Sequence, residues 1–184
     1  MLSVGLVLLL QACSPPLPPD SNASTPSQRE PEPNSSSQDR QSQNVFTLDE
    51  GQMLPITAEA TIQDNIILLE IAQTPRQQAI GLMFRDDLPD NQGMLFPFSP
   101  PRPVQFWMRN VQFPLDMLFL YDGEIKAIAP SVPPCITQTC PTYGPEGAVD
   151  YVLELKGGQA DALGLSIGDS VNIRYIDPIE PESI

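Results

Sequence analysis

Histidine is absent from the 184-residue chain. Without an imidazole there is no Ser-His-Asp or Cys-His pair, no side chain that ordinarily titrates near neutrality, and almost no catalytic zinc set. Basic residues are scarce as well. Nine Lys+Arg against 23 Asp+Glu leave a net charge of −14 and a pI near 4.1. A nucleic-acid backbone is bound largely through Lys/Arg neutralisation, so this composition argues against DNA or RNA as a partner. No apolar run reaches the roughly 20 residues that a helical membrane span needs. A Gly-rich phosphate loop and an Asp-x-Asp-x-Asp-Gly calcium loop are both missing. With three cysteines and no histidine, a soft-metal site has too few ligands. No metal and no cofactor is expected.

Proline, by contrast, is abundant at 22 residues, and its distribution divides the chain. Residues 1–13 form a short apolar run closed by Leu10-Gln11-Ala12-Cys13. The run is too short to span a bilayer and reads as the core of a secretory signal. Its last four residues resemble a bacterial lipobox, in which the cysteine is acylated and becomes the mature N-terminus. Cys13 is therefore the expected lipidation site and membrane attachment. Residues 14–44 hold seven prolines and eight serines, with Leu17 and Ala23 as the aliphatic side chains. Such a segment buries too little apolar surface to offset its ordering entropy and is expected to be a disordered tether. The layout is that of an envelope lipoprotein with its domain outside the cytoplasm, on the periplasmic side. Cys135 and Cys140 are then an even pair in a Pro/Thr loop of an exported protein, and a local disulfide is their simplest use.

The rest divides into a β-rich domain at 45–178 and a short acidic tail at 179–184. Ile56 to Ile62 alternates apolar and polar residues, as a strand with one buried face does. After a turn at Asp64-Asn65, Ile66 to Ala72 is apolar enough for burial on both faces. Thr74-Pro75 marks a helix start, with the helix running to about Met83. Further strands are expected at Met94–Phe96, Val104–Met108, Met117–Tyr121, Glu124–Ala129, Tyr151–Leu155 and Ser170–Ile176, with Asp122-Gly123 as a hairpin turn and a short helix near Gln159–Leu165. The fold class is mainly β, a small sandwich or barrel of about eight or nine short strands with one or two short helices.

Gly81-Leu82-Met83-Phe84-Arg85, Gly93-Met94-Leu95-Phe96, Phe106-Trp107-Met108-Arg109-Asn110 and Pro114-Leu115-Asp116 follow one another at a spacing that resembles the "domain of unknown function 192" family. Val152-Leu153-Glu154-Leu155, Gly157-Gly158 and Gly168-Asp169 continue the resemblance, which covers residues 56–176. Val111 departs from it, since the family usually has Thr after the Asn. The resemblance implies a small β-rich domain, often exported or membrane-anchored, and assigns no activity.

Two functional readings follow from the residues. If Phe106–Val111 is extended, Trp107, Arg109 and Val111 share one face and Phe106, Met108 and Asn110 the other. An indole beside a guanidinium forms a stacking platform. Arg85, Trp107, Arg109, Asn110 and Asp116 would then line a cleft for a small molecule, a glycan or a protein partner. The structural alternative has Arg85 or Arg109 paired with Asp116 or Glu154 and Trp107 in the core. The second functional reading is a hydrolase or lyase using a carboxylate such as Asp116 or Glu154 as acid or base, in a pair such as Asp116 with Glu154 or Glu70 with Glu154. Binding without catalysis is the preferred reading.

Overall fold

The computed structural model describes residues 51–179. Cys13, the signal segment and the tether lie outside the described residues, as does the acidic tail beyond Ile179. Period-two burial appears where the sequence predicts it. In β1 (Ile56–Ile62) Ile56, Ala58, Ala60 and Ile62 are buried and the residues between them are not. β1 turns through Gln63-Asp64 into antiparallel β2 (Asn65–Ile71).

Helix α1 (Pro75–Ile80) begins as expected. Thr74 Oγ1 accepts from Gln77 N, and Gln77 Oε1 accepts in return from Thr74 N, which completes a capping box. The helix stops at Ile80 rather than Met83. Gly81 takes φ +50° there, and its N–H closes on Gln77 O. The chain then returns to β3 (Gln92–Arg102), which runs parallel to β2.

β4 (Leu115–Tyr121) and β5 (Glu124–Val132) form the hairpin at Asp122-Gly123, where both residues have positive φ as a primed turn requires. β6 (Val149–Lys156) lies between β3 and β4, antiparallel to both. After the single-turn helix α2 (Gln159–Ala162), β7 (Val171–Ile179) pairs antiparallel with β1. The seven strands make one mixed sheet in the order β5-β4-β6-β3-β2-β1-β7. Its edges touch at one corner through Ile125 N–H to Asp169 O and Val171 N–H to Gly123 O, but the sheet is not closed into a barrel. The mainly β class therefore holds.

Apolar cores cover both faces of the sheet. One gathers Leu69, Leu95, Leu118, Leu153 and Leu155, and the other Met94, Phe96, Met117, Phe119 and Val152. The segment at 104–113, expected to begin with a strand, is instead an irregular roof over the second core. Two isolated bridges tie it down, Phe106 to Tyr143 and Arg109 to Cys135. Cys135 and Cys140 form the expected disulfide. Among the described residues no helix is long and apolar enough to cross a membrane.

Candidate functional site

Strand β6 delivers a buried carboxyl group, Glu154, that lines a cavity. Alternation along Val152-Leu153-Glu154-Leu155 sends Leu153 and Leu155 to one core and Val152 and Glu154 to the other. Glu154 stands in register with Met94 of β3 and Met117 of β4, so its lateral neighbours are thioethers. Gly93 permits the close approach of β3 and β6 here, since a Cβ would lie 2.9 Å from Glu154 O. Glu154 is 4 % exposed. It makes no side-chain hydrogen bond or ion pair with any described residue. Burial pushes its carboxyl up to about 8, against a smaller downward pull from the Arg85 guanidinium.

Above Glu154 lies a chamber of about 30 Å³ whose walls include Gly81, Leu82, Met83, Phe96, Phe106 and Val111. It shares Gln78, Ala79, Phe106 and Trp107 with an open groove of about 480 Å³ between α1 and the 102–107 segment. Gln78 Nε2 donates to Pro97 O at 2.9 Å, which fixes that wall. Phe106 anchors the opposite wall by edge-on contacts with Phe96, Phe98 and Phe119 at ring separations of 5.0, 6.3 and 6.2 Å. Arg102 sits at the outer end over the Phe98 ring. A second cavity of about 440 Å³, lined by Tyr121, Lys126, Pro145, Gly147 and Ala148, contains no buried ionisable group.

The residues named from sequence separate into two groups. Trp107 is 46 % exposed, lines both parts of the cleft, and carries the Arg109 guanidinium 4.9 Å from its ring centroid. Arg109 Nη2 donates to Gln138 O at 2.8 Å, inside the disulfide loop. The shared face of Trp107 and Arg109 thus stands, with Phe106 and Met108 turned inward. The alternation fails at the next step, because Asn110 adopts φ +58° and reverses the register. Asn110 is exposed and Val111 is buried, the opposite of the extended-strand expectation. The Asn110 carbonyl instead accepts from Phe84 N, joining the roof to the turn after α1.

Arg85 and Asp116 are not in the cleft. Arg85 is buried and forms a two-pronged ion pair with Glu70, Nη1 to Oε1 and Nη2 to Oε2, both at 2.6 Å. Its Nε donates to Gln52 O, and Glu70 Oε2 also accepts from Leu54 N. Arg85 therefore pairs with a carboxylate, as the structural alternative proposed, but the partner is Glu70 and not Asp116 or Glu154. Asp116 is fully buried and accepts from the backbone N–H groups of Ser131, Gly158 and Ala160. That arrangement holds the entry to α2 and leaves the carboxylate no free direction. From sequence Glu154 is a candidate ion-pair partner or acid/base, and its place in an apolar strand is shared by Glu70 and Asp116, so sequence alone does not single it out.

Residues 56–173 match DUF192, a family described as Uncharacterized ACR. Two crystal structures share the fold. A protein of unknown function from Novosphingobium aromaticivorans DSM 12444 is 36 % identical with a TM-score of 0.58, covering 64 % of this chain and 84 % of its own. A protein from Sinorhizobium meliloti 1021, provisionally described as a transcription regulator, is 34 % identical with a TM-score of 0.59, covering 67 % and 96 %. No curated protein matches the chain.

Proposed function

The chain belongs to the DUF192 family, and we propose that it is an envelope lipoprotein whose β-rich domain binds a ligand in the cleft above Glu154 without chemically changing it. The observation that carries this reading is the buried Glu154 carboxyl, which faces an open-ended cleft and has no described partner. A carboxyl with no protein partner, set back from bulk water, gains a hydrogen bond from an occupant of the cleft. An exposed indole at the mouth adds a stacking surface.

Catalysis is the weaker reading. Glycoside hydrolysis ordinarily needs two carboxyl groups across the scissile bond. Glu154 is the one carboxylic residue among those lining the cleft, and Glu70 and Asp116 are committed elsewhere. The lipobox, the tether and the disulfide support an address outside the cytoplasm on a lipid attached to Cys13. The charge of −14 argues against direct contact with nucleic acid.

Because Trp107 is the only tryptophan, its emission reports on the cleft. The full chain titrated with soluble cell-wall fragments should show a saturable emission shift, with unaltered fragments recovered afterwards. An emission that responds to no fragment fraction contradicts the binding reading, and turnover abolished by Glu154→Gln replaces it with the enzymatic one. In cells, Cys13→Ser should release the chain from the membrane fraction; retention there contradicts the lipid anchor.

A further inference from the structure

We propose that the chamber receives the carbonyl oxygen of an uncharged amide or N-acyl group, which accepts a hydrogen bond from the Glu154 carboxyl while the rest of the ligand lies along Trp107. This rests on the cleft being a binding site and adds what the site selects. The chamber, at about 30 Å³, is small against the adjoining groove of about 480 Å³, so it suits a terminal group of the ligand rather than its body. Its side-chain lining is largely apolar, from Leu82, Met83, Phe96, Phe106 and Val111.

Hydrogen-bond arithmetic then separates the ligand classes. A protonated carboxyl offers one O–H donor, and a carbonyl needs one. An ammonium group brings three donors, and Glu154 is the single carboxyl among the lining residues that could accept from it. An anionic group would meet no cation in the chamber, because Arg85 is already engaged by Glu70 and Arg102 lies at the outer end of the groove. The charged groups near Glu154 are few. Met94 and Met117 flank it across the strands, and Lys156, two residues along β6, is drawn to Asp87 and Asp90. Arg85 is the one charge that acts on it appreciably, and it favours the ionised form less than burial disfavours it.

N-acetylated sugars and peptide amides both present this carbonyl, so the test uses one probe of each kind. The full chain is titrated with N-acetylglucosamine, with N-acetylalanine amide, and with glucosamine, which has an ammonium in place of the N-acyl group. Backbone NMR shifts of residues 78–84 and 106–111 give the readout. At least one N-acyl probe should bind, at least tenfold more tightly than glucosamine. Its affinity should be flat below neutrality and fall up to tenfold per pH unit above about 8. Glu154→Gln, which keeps an N–H donor, should bind within about threefold of the parent and lose the pH dependence, whereas Glu154→Leu should weaken binding at least tenfold. If Glu154→Leu does not fold, the Glu154→Gln pH profile decides alone.

Tighter binding of glucosamine, or an affinity that rises with pH, overturns the proposal in favour of an ammonium ligand. Binding of neither N-acyl probe overturns the carbonyl assignment and leaves the broader reading intact if Trp107 still responds to cell-wall fragments.

Discussion

Glu154 couples ligand recognition to stability, and the sign of that coupling can be worked out. In the unfolded chain the carboxyl titrates at its ordinary value near 4.5, and in the fold burial raises it to about 8. Below pH 4.5 both states are protonated and Glu154 contributes no pH dependence. Between 4.5 and 8 the unfolded chain has released a proton that the folded chain still holds. Stability therefore falls as pH rises, by up to about 1.4 kcal/mol per unit, and levels off above 8. Glu154→Gln removes the titration and keeps the shape. Chemical denaturation should show the variant within about 1 kcal/mol of the parent at pH 4.5 and more stable by roughly 3–5 kcal/mol at pH 8. Equal stabilities at pH 8 would mean that the carboxyl is ionised in the fold. A residue that weakens its own fold at neutral pH is what a binding site would contain, and the surrounding core gives no other reason for it. Asp116 is the contrast. Its three backbone donors make it a structural brace, and its motif position among Pro114-Leu115-Asp116 is explained by what it holds rather than by what it binds.

At the scale of elements, the roof over the second core depends on the loop that carries the disulfide. Cys135 N–H donates to Met108 O, and Gln138 O receives Arg109, which stacks on Trp107. Closing so short a loop restricts the unfolded chain by only about 2 kcal/mol. The bond should matter more for the cleft than for the fold. Reduction is expected to lower Tm by roughly 5–8 °C at most while shifting Trp107 emission and weakening its response to cell-wall fragments. An emission unchanged by reduction would show that Arg109 and Trp107 hold their positions without the loop.

These elements also show where sequence is a good guide. β1 was legible because alternation alone decides which face is buried, and the start of α1 because Thr74-Pro75 and Gln77 act within one turn. The shared face of Trp107 and Arg109 was legible for the same local reason. Asn110 was not, because many asparagines can adopt a left-handed backbone and only the bond from Phe84 N to its carbonyl selects it here. Helix α1 ended early at Gly81, where a Cβ would also come within 3.3 Å of the Phe96 ring, a contact that sequence spacing does not reveal.

At the scale of the whole molecule, long-range pairing decided what local pattern could not. Arg85 finds Glu70 across 15 residues, with Gln52 and Leu54 of the entering chain bonded to the same pair. This network fastens residues 52–54 to the turn that walls the chamber, since Gln52 Nε2 also donates to the carbonyls of Gln77 and Gly81. Glu154 is in the sequence only one of three carboxyls in apolar strands, with Glu70 and Asp116, and what covers it comes from residues 81–83 and 106–111, far from it in the chain. The cleft is thus a property of the complete sheet and its roof. The most direct measurement is a carbon-13 NMR titration of the side-chain carboxyls, with the Glu154 signal assigned by its loss in Glu154→Gln. A midpoint near 8 is expected, with the signal of a protonated carboxyl throughout the neutral range. A midpoint near 4.5 would mean an ionised, solvated or partnered Glu154, and would contradict a neutral donor waiting at the floor of the cleft.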